Sequence, residues 1–342
     1  MTSDTAAIRD GEDLPREPLA AWLAARVPDV GVLAIEQFPA GHSNLTYLLR
    51  TGAGEFVLRR PPLGPVAPRA HDMAREARVL QAVHPHFPAA PRVVAVCDDP
   101  AVIGAPFFVM ERRHGVVVRR GMPPEYAGIP DAADRISRTL IDGLADLHQV
   151  DVQATGLASL GRPEGFLERQ VTSWTDRWYR ALTAPLPEMD RVVAWLASQR
   201  PGSARTTIVH NDYKLDNVML DAADPGRVVA VLDWEMATIG DPLTDLGLTL
   251  TYWSLPEARA VAGMSERDGW WSRDRMVARY AERTGADLAA LPWHEVLGIF
   301  KLAVIVQQIY ARYLKGQTAD PRFREMGRMV ESLAAAATRK LP

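Results

Sequence analysis

The chain has 342 residues, 47% hydrophobic and 24% charged, which suits a globular protein with a full apolar core in one large or two medium domains. Its 39 basic and 42 acidic side chains leave a formal net charge of −3, which argues against general nucleic-acid or anionic-membrane binding but allows a local basic pocket. The single cysteine, Cys97, excludes an intramolecular disulfide and a multi-cysteine zinc site, and its apolar neighbours Val94 and Val96 predict that it is buried.

The opening stretch MTSDTAAIRDGEDLPRE is polar and lacks the apolar run of a signal peptide. No apolar run approaches the roughly 20 residues that span a bilayer. A cytoplasmic, reduced location is the expectation. Residues 1–14 read as a tail, followed from Pro15 by an amphipathic helix with Leu19, Trp22, Leu23 and Val27 on one face. The period then changes. Thr46–Arg50 and Glu55–Arg60 read as strands joined by the turn residues Thr-Gly-Ala-Gly, and Pro61-Pro62 ends the second. A helix over Asp72–Val83, with Met73, Leu80 and Val83 as its buried stripe, precedes two more strands of the same antiparallel sheet, Pro91–Cys97 and Pro106–Arg112.

From about Asp131 the pattern is mainly helical. Ile136, Leu140, Ile141, Leu144 and Leu147 form one apolar stripe, and Leu297–Leu314 carries another. Two short β-rich runs interrupt the helices, Arg205–His210 and Arg227–Trp234. The predicted organisation is a tail and helix at 1–30, a β-rich lobe at 31–114 and a larger helical lobe at 115–342. Familiar nucleotide and metal motifs fail: no Walker phosphate loop occurs, Gly52-Ala53-Gly54 has Val57 where a dinucleotide fingerprint needs glycine, and His294-Glu295 lacks a second histidine.

The chemistry lies in Val209-His210-Asn211-Asp212-Tyr213-Lys214-Leu215-Asp216-Asn217, which has the form H-x-D-x-x-x-x-N and follows the apolar run Thr207–Val209. A second apolar run, from Val229, ends in Asp233-Trp234-Glu235. The two runs are expected to deliver Asp212, Asn217 and Asp233 to one edge. Phosphoryl transfer requires such a set, because Mg²⁺ among anionic phosphate oxygens is held by a carboxylate and a neutral oxygen donor. Asp233 suits the first role and Asn217 the second, and Asp212 is placed to accept a proton from a substrate hydroxyl. His210 reads as a loop-shaping hydrogen-bonding residue. Lys214 reads as a point charge for transferring phosphate or as a solvated lysine.

The segments VHNDYKLDNVMLD and VLDWEMATIGDPLTDLG closely resemble the catalytic and metal loops of aminoglycoside-phosphotransferase-like kinases. GHSNLTYLLR, EFVLRRPP, AHDMAREARVL, FFVMERRHG and LADLHQVD extend the resemblance over nearly the whole chain, and the N-terminal phrases look most like the kinase-like domain fused to acyl-CoA dehydrogenases. The resemblance implies an α+β, protein-kinase-like bilobal fold and an ATP- or GTP-dependent O-phosphotransferase that phosphorylates a small hydroxylated metabolite, with a hydroxyacyl-CoA-type compound as candidate acceptor. It implies Asp212 as catalytic base, Asn217 and Asp233 as Mg²⁺ ligands, and Gly41, His42, Ser43 and Asn44 as the loop over the nucleotide phosphates. Met110 to Arg113 would form the hinge, with the backbone of Glu111 and Arg113 meeting adenine, and Glu76 would pair with the basic residue of the preceding strand.

Two features depart from the kinase pattern. The strand lysine is replaced by Arg59 or Arg60; alternation sends only one of them toward the nucleotide, and Arg59 is favoured. Glu235 stands where kinases have glycine, either touching a second metal or hydrogen-bonding nearby. Asp241 and Asp245 read as helix caps. Trp253, Trp270 and Trp271 are core or an aromatic acceptor pocket. The mixed charge of segment 250–300 argues against a polycationic antibiotic acceptor. An aminoglycoside kinase and a non-catalytic nucleotide-binding scaffold are the alternative readings.

Overall fold

A computed structural model of the chain describes residues 4–39, 44–63, 71–119, 121–203, 205–255, 268–318 and 320–342. Two units result: Met1–His114 with Val229–Glu235, and Gly115–Val228 with Met236–Pro342.

In the first unit, strands β1 (Ala34–Gln37), β2 (Leu45–Thr51), β3 (Gly54–Arg60), β4 (Val93–Cys97) and β5 (Phe107–Glu111) form an antiparallel sheet in the order β1-β2-β3-β5-β4. The predicted turn sets the β2–β3 register, with Thr51 opposite Gly54 and Thr46 opposite Arg59. Alternation then sorts the side chains. Leu45, Tyr47 and Leu49 join Leu19 and Leu23 of helix α1 (Arg16–Ala24) in one apolar cluster that also buries Cys97, as predicted. Trp22 differs from expectation. It is half-buried, meeting Phe107 edge-on at 4.7 Å and the Arg26 guanidinium at 4.3 Å, because it lies at the margin of the helix's buried face.

Helix α2 (Met73–Val83) starts where Asp72 accepts a hydrogen bond from the Arg75 N–H, and its stripe of Met73, Ala77, Leu80 and Val83 is buried together with Glu76. A simple cut at residue 114 misses one feature, because residues 229–235 return to this unit: Val231 donates to the Ala89 carbonyl at 2.8 Å and Trp234 packs edge-on against Phe87.

The second unit is built on helices α3 (Ala132–His148), α4 (Phe166–Ala181), α5 (Pro187–Ser198), α6 (Pro242–Ser254), α7 (Arg273–Thr284), α8 (Leu291–Leu314) and α9 (Met326–Arg339). Its short strands include β6 (Val116–Val117), which pairs with β8 (Val218–Leu220), and β7 (Thr207–Val209), which pairs with β10 (Thr238–Gly240). Strand β9 (Val228–Val231) leads from this unit into the first. Helix α8 corrects one expectation, since it is long and apolar enough to cross a bilayer, with 24 residues and a mean hydropathy of 1.2. It is instead the central core helix, its Trp293, Val296, Leu297 and Phe300 packed with Trp174, Trp178 and Leu333. Helices α6 and α8 pack closely through glycines. A Cβ on Gly247 would lie 2.5 Å from the His294 carbonyl oxygen, and one on Gly298 would lie 2.8 Å from Thr251 Oγ1.

Candidate active site

In the second unit, β7 ends at Val209 and the chain turns through Asn211, whose φ of +64° is left-handed. A non-glycine residue persists there only when its surroundings fix it. The fixing group is Asp245 on α6, which is fully buried and accepts the backbone N–H groups of His210 at 2.5 Å and Asn211 at 2.7 Å. His148 Nε2 lies 3.3 Å from the same carboxylate, and its Nδ1 lies 2.7 Å from the Tyr280 hydroxyl. The expectation that Asp245 caps a helix is therefore corrected. Asp241 is the cap, accepting from the Leu243 N–H at 2.9 Å, while Asp245 one turn later points at the loop. His210 shapes the loop as expected, its Nδ1 accepting from the Asp212 N–H at 3.3 Å.

The Asp212 carboxylate is partly exposed and accepts from Lys214 Nζ at 2.8 and 2.9 Å. Asn217 follows in a short 3₁₀ turn and donates Nδ2 to the Asp212 carbonyl at 2.9 Å and to Oδ2 at 2.8 Å. This orients its amide oxygen away from Asp212, as a neutral oxygen ligand requires. The Lys214 ammonium also stands 4.8 Å from the centre of the Tyr252 ring, a contact that the sequence did not suggest.

In the first unit, Asp233 ends the β9 run with a left-handed φ of +68°. It receives Arg59 NH2 at 2.5 Å, while Arg59 Nε lies 3.1 Å from Glu76 and NH2 lies 3.6 Å from Glu235. Strand alternation separates the two candidate arginines, because Arg60 turns to the opposite face and donates to the Ile103 carbonyl at 3.1 Å. Glu235 accepts from Asn44 Nδ2 at 2.8 Å, and Asn44 Oδ1 lies 2.7 Å from His71 Nδ1. Of the expected phosphate loop, Gly41, His42 and Ser43 lie outside the described residues.

Three carboxylates thus share one guanidinium. Burial raises the Glu76 carboxyl to about 7; Arg59 opposes that rise, and Asp233 and Glu235 reinforce it. A raised folded-state pKa means stability lost as pH climbs from the unfolded value toward the folded one. Arg59→Met removes the opposing charge and raises the Glu76 carboxyl further, so the variant's stability should fall increasingly below wild type between about pH 7 and 9, at up to ~1.4 kcal/mol per pH unit. Differential scanning fluorimetry across that range checks this, and a pH-independent difference would refute it.

Met110 and Glu111 end β5, but the Glu111 N–H donates to the Arg92 carbonyl at 2.9 Å. That pairing uses the Glu111 N–H, so its carbonyl is the group that could serve the expected backbone contact with adenine. The Glu111 side chain accepts from Arg113 Nε at 2.8 Å. Trp253, Trp270 and Trp271 are all buried, with the Trp253 indole donating to the Trp271 carbonyl and the Trp271 indole to Asp134. Among the described residues no cluster of three or more His, Cys, Asp or Glu is arranged to hold a metal by itself.

A loop that fixes an acid, a lysine and an amide after a short strand defines a class, the phosphotransferases with an alcohol group as acceptor. Residues 34–294 match the family model described as "Phosphotransferase enzyme family". The chain belongs to this aminoglycoside-phosphotransferase family. It is 31% identical to acyl-CoA dehydrogenase family member 10 of Mus musculus over 98% of its own length, and spans about a third (32%) of that curated relative. A solved structure of a candidate aminoglycoside phosphotransferase from Ralstonia eutropha JMP134 is 30% identical, with a TM-score of 0.83 over 96% of this chain and 98% of that one. The GDP complex of aminoglycoside 2'-phosphotransferase-IIIa, 16% identical, shares the fold with a TM-score of 0.62 over 94% and 99% of the two chains. The fold is the α+β, kinase-like bilobal one.

Proposed function

We propose that this phosphotransferase moves the γ-phosphoryl group of ATP or GTP to a hydroxyl of a small metabolite, with hydroxyacyl-CoA-type compounds as the acceptor class. The observation that carries the reading is the Asp212 loop, with its carboxylate presented beside Lys214 and Asn217 and its backbone pinned by Asp245. Nucleotide use is supported by the GDP complex of the structural relative. The acceptor class is supported by the similarity to part of a longer acyl-CoA dehydrogenase family member.

In this reading Asp212 orients the acceptor hydroxyl and takes its proton, and Lys214 offsets negative charge on the transferring group. Arg59, aimed by Glu76, serves the nucleotide phosphates. Each unit by itself offers hard oxygens that suit Mg²⁺: the Asn217 amide in the second, and Asp233 in the first, where three carboxylates against one guanidinium leave an excess of negative charge. One or two carboxylates with substrate phosphates are a common way of holding Mg²⁺, so a cage made of protein alone is not needed. When bound, the ion would neutralise charge on the phosphate oxygens.

Two measurements test this. An ADP-release screen with Mg-ATP over a hydroxyl-compound library containing hydroxyacyl-CoAs should give its highest turnover with a member of that class. Highest turnover with an aminoglycoside would replace the acceptor assignment, and no turnover with any acceptor would overturn the kinase reading. In thermal-shift titrations, ATP with Mg²⁺ should stabilise wild type by about 2.7 kcal/mol at 100-fold over Kd, well beyond ATP alone. Asp233→Ala should lose the Mg²⁺-dependent part, and retention of that part would remove Asp233 from the metal site.

A further inference from the structure

We propose that Lys301, a buried lysine in the middle of α8, is a positioning residue for phosphoryl transfer that holds the Asp212 loop in its working shape through the side chain of Asn211. The inference deepens the kinase reading and rests on it. Lys301 is 2% exposed, and among the described residues its hydrogen-bond partner is Asn211 Oδ1 at 3.2 Å. Burying an ammonium group without a carboxylate in contact costs free energy that a methionine of similar length would avoid. A group kept there at a cost to stability calls for a reason other than stability.

The geometry supplies one. Because Lys301 can only donate, it fixes the Asn211 amide with its oxygen toward α8. That aims Nδ2 at the Met236 carbonyl, to which it donates at 3.1 Å. One amide therefore ties the loop to α8 on one side and to the chain entering β10 on the other. The same residue carries the left-handed φ of +64° and directly precedes Asp212, so a rotation of Asn211 displaces the Asp212 carboxylate.

The surroundings come from α4, α6, α8 itself and the loop. Trp174 on α4 lies with its ring centre 5.3 Å from Nζ. Burial pushes the ammonium down to about 8, Asp245 and Asp212 favour its charged form, and Arg177 opposes it. His294, two turns earlier on α8, is held toward its neutral form chiefly by burial, with Lys301 adding to the effect. Lys301 is thus charged below about pH 8 and loses its proton as pH rises through that value.

The test uses the purified full chain and Mg-ATP, with ADP release to water or to the best acceptor as readout. Lys301→Met should lower kcat at least about tenfold, with KM for ATP within about twofold of wild type, since misplacing a reacting group by about an ångström can cost a hundredfold. Its melting temperature should stay within a few degrees of wild type, and the decline of kcat above about pH 8 should disappear. Lys301→Gln, which keeps a donor, should recover part of the loss. Asn211→Ala should lower kcat similarly, and the double variant should be no worse than either single one. Amide hydrogen exchange over residues 210–217 should quicken in Lys301→Met while α8 keeps its protection. A wild-type kcat in Lys301→Met, additive effects with Asn211→Ala, or a kcat loss matched by lost folding in both Lys301 variants would overturn the proposal. Absence of turnover in the wild type would instead overturn the kinase reading, leaving the exchange measurement to decide whether Lys301 holds the loop.

Discussion

Asp212→Asn is expected to lower kcat by about 10² to 10⁴ while leaving nucleotide affinity and melting temperature close to wild type. The size follows from the geometry. The amide keeps the shape and one acceptor oxygen, and Asn217 can still donate to the Asp212 carbonyl at 2.9 Å. What disappears is the capacity, proposed above for the carboxylate, to take a proton from the acceptor hydroxyl. The negative charge that holds Lys214 Nζ at 2.8 and 2.9 Å also goes, which releases the lysine toward Tyr252. Steady-state kinetics with thermal denaturation distinguish the outcomes. A variant with at least half of wild-type turnover would show that Asp212 is not the base.

Asp245→Ala should lower stability by about 3–5 kcal/mol. The carboxylate is fully buried and accepts two backbone N–H groups, with His148 beside it. Alanine removes the acceptor that Asp245 supplies to the His210 and Asn211 amides, at about 1–3 kcal/mol each. The left-handed turn at Asn211 then loses the contacts that fix it. Burial alone would raise the Asp245 carboxyl, but hydrogen bonding and charge from His148 and His210 bring it below the usual range. A depressed carboxylate gives stability that is present above the unfolded pKa and is lost as pH falls through the folded one. Wild type should therefore lose more stability on acidification than Asp245→Ala does. Urea unfolding at neutral pH and at about pH 3 tests both statements. A loss under ~1 kcal/mol at neutral pH would show that other contacts hold the loop.

Much of this site is local, and so legible in the sequence. His210, Asp212 and Asn217 lie within one short segment, where spacing and one apolar strand suffice to single out a candidate phosphoryl-transfer loop. Strands β2 and β3 announce themselves by alternation and a glycine-containing turn, and α2 by Asp72 and its apolar stripe. That only one of Arg59 and Arg60 meets Glu76 follows from the two-residue period of a strand; the structure shows that it is Arg59.

Other features were hidden because they join residues far apart in the chain. Asp245 looks like any acid in the first turn of a helix until the fold brings β7 against α6. Lys301 sits in an apolar run whose period marks it only as a core position; its partner Asn211 is 90 residues away. Only the fold shows that the Glu111 N–H is taken by the carbonyl of Arg92, the residue before β4. The α8 sequence meets the length and hydropathy of a membrane span, and only its burial among α4, α6 and α9 makes it a core helix. The sequence by itself determined the element types and the family and pointed to the candidate reacting side chains, because these depend on neighbours a few residues apart. The tertiary structure decided which buried groups hold those side chains in place, because hydrogen bonds and desolvation act through space regardless of separation along the chain.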